Sequence, residues 1–465
     1  MTSSLVVKNP YNDETIRELS FATNEKIASQ LLKSRHAFEK WRTSPAWRRA
    51  ELLNQAAAKL ESQAEDFAQL MVMEAGKPIT YARVEVARAL GVLRWAAAET
   101  LRFSGELLRL DTVASGREGF GIHQKFPRGV ILGITPFNFP LNLVIHKVAP
   151  AIACGCAIVI KPSPSTPLTA LKMAELFSDE PELVQVILAD DEGTQALTRA
   201  QEIAMISFTG SAKIGFQIRT QSPKKPAVLE LGGNAWVAVL DDISEKDFQK
   251  IATRIANAAF SYAGQSCISV QNVAVAQSHY KKFSEALTQA TKKTIYGDPS
   301  DQNTISGPVI RARDAERIRG ALTSHSALKI ESRSSRGTTD LATLVPPTLV
   351  CVDATDRSAL TEEEIFGPVM TLRPFSNTTH LIALVNSSKY GLQAGIYSQN
   401  LAAIQTLYRD LEVGGVVVND APTSRYDHQP YGGKKQSGQG REGVRYAMEE
   451  MCESKFLALS SEIPG

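Results

Sequence analysis

The chain has 465 residues, too many for one ordinary hydrophobic core, so two or three domains or a large discontinuous pair are expected. Hydrophobic residues at 43% and charged residues at 22% are values of a folded globular protein, which excludes the disordered and fibrous classes. The 51 basic and 49 acidic residues leave a net charge of +2 with no electrostatic footprint for nucleic acid or an anionic membrane, so the expected partners are small molecules.

The N-terminal stretch MTSSLVVKNPYNDETIREL has no basic segment followed by an apolar one, so no secretory signal is expected. No apolar run approaches the roughly 20 residues of a membrane span. Five cysteines, Cys154, Cys156, Cys267, Cys351 and Cys452, form an odd, scattered set that suits reduced thiols in a cytoplasm better than a disulfide framework. Cys154 and Cys156 sit in the apolar run AIACGCAIVI with no paired His or Cys cluster to complete a tetrahedral site, so they read as packing residues and no metal is expected.

From Thr23 to Phe103 apolar residues recur at three- and four-residue spacings and predict three long helices, in EKIASQLLKSRHAFEKW, RRAELLNQAAAKLESQAEDFAQLMVMEAG and ITYARVEVARALGVLRWAAAE. Gly76, Lys77 and Pro78 read as a stop and restart between the second and third. The stretch LLRLDTVASGREGFGIHQK, Leu107 to Lys125, alternates instead and predicts a hairpin that leaves the first domain; having no core of its own, it needs a partner.

At Gly129 short β-branched runs begin to alternate with helical stretches: GVILGI, LNLVIHKVAPAIACG, AIVIK, PLTALKMAELFS, VQVIL, TQALTRA, AMISF, KIGFQIRTQ and AVLEL. That alternation predicts consecutive βαβ units, hence a parallel sheet covered by helices on both faces. Such sheets bind ligands beyond the carboxyl ends of their strands. The segments to search are therefore TPFNFP, KPSPSTP, FTGSAKIG and ELGG. From about Gly233 a second α/β region follows, with helices in KDFQKIATRIANAAFSYAG and YKKFSEALTQATKK and apolar runs PTLVCV, VMTLRPF and GGVVVND.

Three side chains stand out. Cys267, in SYAGQSCISV, has small and polar neighbours that leave a sulfur approachable, and Gly264 permits a tight backbone path; the alternative is a packing cysteine. Glu230 ends a buried strand just before Gly232 and Gly233, where partial desolvation would raise its pKa toward the range of a general base; the alternative is a capping or structural carboxylate. Asn138, in ITPFNFPLN, is flanked by rigid Phe and Pro residues that would fix an amide donor for an oxyanion; the alternative is a turn asparagine. In FTGSAKIG, Gly210, Ser211 and Gly215 stand at a strand-to-helix junction, where free N–H groups and the helix dipole favour a phosphate, although an ordinary helix cap fits the same string.

The strings TPFNFP, KPSPSTP, FTGSAKIG, LELGGN, GQSC, EEIFGP and PYGGKKQSGQGREG occur in the order and rough spacing of the aldehyde dehydrogenase superfamily, which the chain resembles over nearly its whole length. The end VVVNDAPTSRYDHQPYGGKKQSGQGREGVRYAMEEM resembles the branch with lactaldehyde dehydrogenases and non-phosphorylating glyceraldehyde-3-phosphate dehydrogenases. The resemblance implies a Rossmann-like NAD(P)-binding domain in 1–106 and 128–232, a second α/β catalytic domain in 233–435, and oligomerisation elements in 107–127 and 436–465, hence a homodimer or homotetramer. It implies that Cys267 adds to the aldehyde carbon, that Asn138 and the Cys267 N–H stabilise the oxyanion, and that Glu230 activates the water that hydrolyses the thioester to a carboxylic acid. By the same resemblance Gly210, Ser211 and Gly215 take the pyrophosphate, Lys161 and Ser163 the adenosine end, Glu364 the nicotinamide ribose and Phe366 the nicotinamide, with Thr135, Pro136 and Leu231 as further cofactor contacts.

Two features depart from the family pattern. Where NAD-preferring relatives often place a glutamate three residues after the lysine, this chain has Pro164, which removes an electrostatic bar to a 2′-phosphate and leads to an expectation of NADP use, alone or alongside NAD. His146 and Arg425 fall where many relatives place aromatic wall residues; with Phe139 they are the expected substrate contacts, for a small polar or anionic aldehyde such as lactaldehyde, glyceraldehyde 3-phosphate or a semialdehyde. Alternatively, Arg425 pairs with Asp420 or Asp427 and His146 packs in the core. Two other functions compete: a CoA-acylating semialdehyde dehydrogenase, disfavoured because Glu230 is present, and a non-catalytic protein of the same fold, disfavoured because Cys267, Glu230 and Asn138 are all intact.

Overall fold

A computed structural model describes residues 4–460 apart from Ser115, Arg117, Arg333 and Thr339; the parts of the expected boundaries at 1–3 and 461–465 lie outside the described residues, as do two positions of the expected hairpin. The helical N-terminal region holds four helices, Asn24–Trp41, Ala46–Ser62, Ala64–Ala75 and Ile79–Thr100, where three were expected. The second predicted helix breaks at Gln63 (φ −114°, ψ 18°), and Glu65 and Asp66 then open a new first turn, where carboxylates suit the positive end of a helix. Gly76 ends the third helix with φ 62°, and a Cβ there would press on Pro308.

These helices share one hydrophobic core with a six-stranded sheet ordered Gly438–Gln439, Ala227–Glu230, Ile203–Thr209, Val130–Ile134, Ala157–Lys161, Val184–Val186. All neighbours are parallel except the first pair. The chain enters at Val130–Ile134, winds outward to Val184–Val186, then crosses back to Ile203–Thr209 on the other side. The crevice of a doubly wound sheet opens where the order reverses, here between Thr135–Asn138 and Gly210–Ser211.

The second α/β region forms a seven-stranded sheet ordered Leu328–Glu331, Thr348–Cys351, Val369–Phe375, Asn272–Ala276, Trp236–Val239, Gln393–Tyr397, Gly415–Val418, parallel but for its first strand. The expected hairpin is present as Glu106–Arg109 and Gly119–Pro127, and Cys452–Ser460 pairs antiparallel along the second of these. The segment between 436 and 451 differs from the boundary expected. Gly438–Gln439 edges the first sheet, and helix Val444–Glu450 buries Val444, Ala447 and Met448 against Ile79–Thr100 and Asn142–Cys154, so only the last strand belongs to the small sheet. No helix of the described residues is long and apolar enough to cross a membrane.

Candidate active site

A cavity of about 370 Å³ lies at the crevice, and its wall includes Asn138, Glu230, Cys267, Glu364, Phe366 and Arg425. Cys267 reaches it by an unusual backbone path: Tyr262, Ala263 and Gly264 have φ of 52°, 53° and 66° in succession. Gly264 meets the expectation, since a Cβ would strike the Gly367 carbonyl. The two non-glycine residues cost about 1–3 kcal/mol each and need outside support. That support is visible: Tyr262 Oη donates to Ala75 O at 3.0 Å, Gln265 Nε2 donates to Tyr262 O and Pro308 O at 3.2 Å, and Ile310 N donates to Gln265 Oε1 at 2.9 Å.

Asn138 is tied to the same loop, its Nδ2 donating to Gln265 O at 2.9 Å, which leaves its second N–H for another acceptor. Behind it Glu85 accepts the Leu141 and Asn142 N–H groups at 3.0 Å each, at the start of helix Asn142–Cys154. The buried Lys77 ammonium pairs with Glu85 and lies 3.9 Å from the centroid of Phe139 and 4.6 Å from that of Tyr262. This fully buried cation therefore joins the Asn138 turn to the Cys267 turn. Phe139 lines the cavity.

Glu230 is buried, and neither carboxylate oxygen has a protein partner among the described residues. Burial, then repulsion from Glu442, hold its pKa well above the usual carboxylate range against the pull of Arg425 and Lys147. The glycines after it have separate reasons. A Cβ on Gly232 would collide with the Glu364 carboxylate, and one on Gly233 would lie 2.5 Å from Cys267 O. Gly233 N donates to Glu364 Oε1 at 2.9 Å, and burial pushes the Glu364 carboxyl up to about 7.

Tyr431, which sequence reasoning passed over, has its hydroxyl 3.3 Å from Cys267 Sγ. The Arg425 guanidinium lies 3.8 Å from the centroid of its ring and donates from Nη2 to Glu442 Oε2 at 2.8 Å. Lys147 donates to the other Glu442 oxygen at 3.3 Å and to Ser207 Oγ at 3.0 Å. Burial pushes the Cys267 thiol up to about 11, with the Tyr431 hydrogen bond working against it. Gln265, Arg88 and Glu442 also line the cavity without having been singled out; Tyr431 and Glu442 stand inside PYGGKKQSGQGREG, so that string held the signal.

The two polar substrate positions fare differently. Arg425 is in the cavity wall and pairs with Glu442, not with Asp420, which Arg254 holds, nor with Asp427, which Arg88 holds by two bonds of 3.1 and 2.6 Å. His146 is a correction. His146 is fully buried, stands outside the cavity wall and has its Nε2 2.8 Å from Asp427 Oδ1, so it packs as a polar core residue. Cys154 and Cys156 are buried, as expected of packing residues.

The cofactor residues were tested for fit to a dinucleotide. Ser211 precedes helix Ala212–Gln221 and makes no side-chain cap, so the first-turn N–H groups stay available to a pyrophosphate. Gly215 lets that helix approach the sheet, since a Cβ would sit 2.5 Å from Leu231 Cδ2. Pro136, Gly210, Ser211, Leu231, Glu364 and Phe366 line the cavity, with Phe366 edge-on to Phe137 at 5.9 Å. Thr135, Lys161, Ser163 and Gly215 fall outside its wall; Lys161 ends the adjacent strand, where Thr135 N donates to its carbonyl at 3.2 Å. Burial lowers the Lys161 pKa against the pull of Asp191 and Asp190. The set fits a nicotinamide dinucleotide spread across the switch point.

A dinucleotide cradle opening onto a partly buried cysteine, an amide and an unpaired glutamate defines an NAD(P)-dependent oxidoreductase. The chain belongs to the aldehyde dehydrogenase family, whose model matches residues 2–457. It is similar to 3-sulfolactaldehyde dehydrogenase of Priestia aryabhattai, 37% identical over 460 residues covering 98% of this chain and 94% of the relative. It is similar to the solved aldehyde dehydrogenase 21 of Physcomitrella patens in complex with the reaction product succinate, with a TM-score of 0.93, 35% identity, and 99% and 95% of the two chains covered. It is also similar to the glyceraldehyde-3-phosphate dehydrogenase GapN of Methanocaldococcus jannaschii complexed with NADP, with a TM-score of 0.91, 32% identity, and 99% and 100% covered.

Proposed function

We propose that the enzyme oxidises a small anionic aldehyde to the corresponding carboxylic acid. The observation that carries this is the presence of four guanidinium groups, Arg88, Arg311, Arg317 and Arg425, in the wall of the cavity that holds Cys267, with Arg425 Nε lacking a protein partner among the described residues. A planar cation with spare N–H donors suits a carboxylate, sulfonate or phosphate. The three similar proteins named above are described with a sulfonated aldehyde, a dicarboxylate and a phosphorylated aldehyde, a consistent pattern.

In this reading Cys267 Sγ adds to the aldehyde carbon, and the free Asn138 N–H with the Cys267 backbone N–H receives the negative oxygen. Gly210, Ser211, Glu364 and Phe366 hold the cofactor, with Lys161 and Ser163 at its adenosine end; when bound, NAD(P)⁺ supplies the acceptor for the aldehyde hydride. Glu230, unpaired and uncharged at low pH, takes the proton of the water that cleaves the thioester on Cys267. A carboxyl in that place favours water over CoA as the acyl acceptor. With Pro164 after Ser163, NADP is used alone or alongside NAD. Exposed Leu107, Leu108, Phe120, Phe456, Leu457 and Leu459 on the small sheet support a homodimer or homotetramer, and the free cysteines suit a reducing cytoplasm.

The test compares Arg425→Leu with the unaltered enzyme on succinate semialdehyde and on propanal, with and without CoA. The ratio of kcat/KM for the two aldehydes should fall by about 10- to 100-fold, the worth of one charge-assisted hydrogen bond. An unchanged ratio refutes the anionic substrate, and activity that requires CoA refutes hydrolysis.

A further inference from the structure

Tyr431 has no role in the chemistry set out above, yet its position is over-determined. Its backbone exchanges hydrogen bonds with Glu442, Tyr431 N to Glu442 O at 2.9 Å and Glu442 N to Tyr431 O at 2.7 Å. The Glu442 carboxylate then holds Arg425, and the Arg425 guanidinium lies on the Tyr431 ring at 3.8 Å. Three residues thus brace one another in a closed loop, and the group they fix is a phenol aimed at Cys267 Sγ, its hydrogen-bond partner among the described residues.

We propose that the Tyr431 hydroxyl is a catalytic hydrogen-bond donor to the Cys267 sulfur, stabilising the thiolate that attacks the aldehyde. The inference rests on the reading of Cys267 as the nucleophile. A neutral thiol gains little from such a donor, whereas a thiolate in a buried site gains a charge-assisted bond. Glu230, Glu364, Tyr431 and Arg425 are the titratable and charged groups that act on the sulfur. The two carboxyls oppose a thiolate and Arg425 favours it, so the phenol is the one neutral donor among them. It keeps its proton, because burial holds its own pKa well above the ordinary tyrosine value. Arg425 on the ring face draws electron density from the phenol and strengthens the O–H as a donor. The thiol proton leaves to water in the cavity, the sulfur lone pair is released for attack, and Tyr431 is unchanged by the step.

Tyr431→Phe removes the hydroxyl and keeps the ring under Arg425. The measurement is the rate of Cys267 alkylation by iodoacetamide from pH 6 to pH 10.5 without cofactor, read by peptide mass spectrometry because Cys351 is also partly accessible. The expected result is a rate about tenfold lower at each pH in that range, since below the thiol midpoint the thiolate fraction sets the rate. The kcat/KM for aldehyde should fall in step while the cofactor KM holds. An alkylation rate equal to that of the unaltered enzyme across the range overturns the proposal; unchanged alkylation with a raised aldehyde KM overturns it too, by giving the hydroxyl to the substrate. Cys267→Ala separates the two readings. If that variant still oxidises aldehydes, the nucleophile assignment falls; if it is inactive and Tyr431→Phe alkylates normally, only the Tyr431 role falls.

Discussion

Arg425 and Glu442 form a buried ion pair, Nη2 to Oε2 at 2.8 Å, and Lys147 holds the other carboxylate oxygen, so two cations face one anion inside the site. The excess positive charge is compensated when Glu230 or Cys267 ionises. Glu442 also repels Glu230, which sets up a test. Glu442→Gln should destabilise the fold by about 3–5 kcal/mol, the cost of leaving buried charge unpaired, seen as a lowered Tm. In the same variant the acid limb of the kcat profile should move to lower pH, because the repulsion that raises the Glu230 pKa is gone.

Glu230 itself predicts a rising profile. With its pKa raised, the carboxyl stays protonated where a free glutamate would be ionised, and the basic form grows as pH increases. Thioester hydrolysis should therefore accelerate with pH, and stopped-flow traces at pH 6 should show a larger burst of reduced cofactor relative to the steady rate than traces at pH 9. Glu230→Gln should keep the burst and lose about 10²- to 10⁴-fold in steady rate.

Glu364 titrates near 7, and the Gly233 N–H and Arg317 favour its charged form against burial. An ionised carboxylate accepts from ribose hydroxyls and a neutral one accepts less well. Cofactor affinity should thus strengthen as pH rises from 6 to 8. Fluorescence titration should show that slope, and Glu364→Gln should flatten it.

Glu85 does two tasks at once, neutralising Lys77 and capping the N–H groups of Leu141 and Asn142. Glu85→Ala should cost about 3–5 kcal/mol by leaving a buried ammonium unpaired. The double variant Lys77→Met with Glu85→Gln should recover much of that stability on calorimetry. Its kcat should stay low while the cofactor KM holds, because the link between the turns of Asn138 and Cys267 is missing.

Local patterns made the scaffold legible. Strands such as AIVIK and AVLEL are continuous apolar runs because a parallel sheet is buried on both faces, and Gly76 marks a helix end because only that residue takes the left-handed cap without cost. The split of the second helix at Gln63 was harder to see, since the apolar stripe continues through it and only the acids at 65 and 66 signal the new start. Cys267, Glu230 and Asn138 were legible because each sits just beyond a strand or within a short distinctive string. His146 was misjudged because spacing from Asn138 gives distance along a helix and not the side of it that faces the cavity.

By itself the sequence determined the alternation of strands and helices, the crevice where the order reverses, and the family, because these follow from hydrophobic period, turn residues and motif order. Only the tertiary structure decided which charges meet. Arg425 lies near Asp420 and Asp427 in the chain, yet its carboxylate comes from Glu442, whose backbone is paired to Tyr431; Lys77 joins two turns that lie 60 or more residues further along. Buried ions take the partner that compact packing brings within about 3–4 Å, and chain distance has no say in that choice.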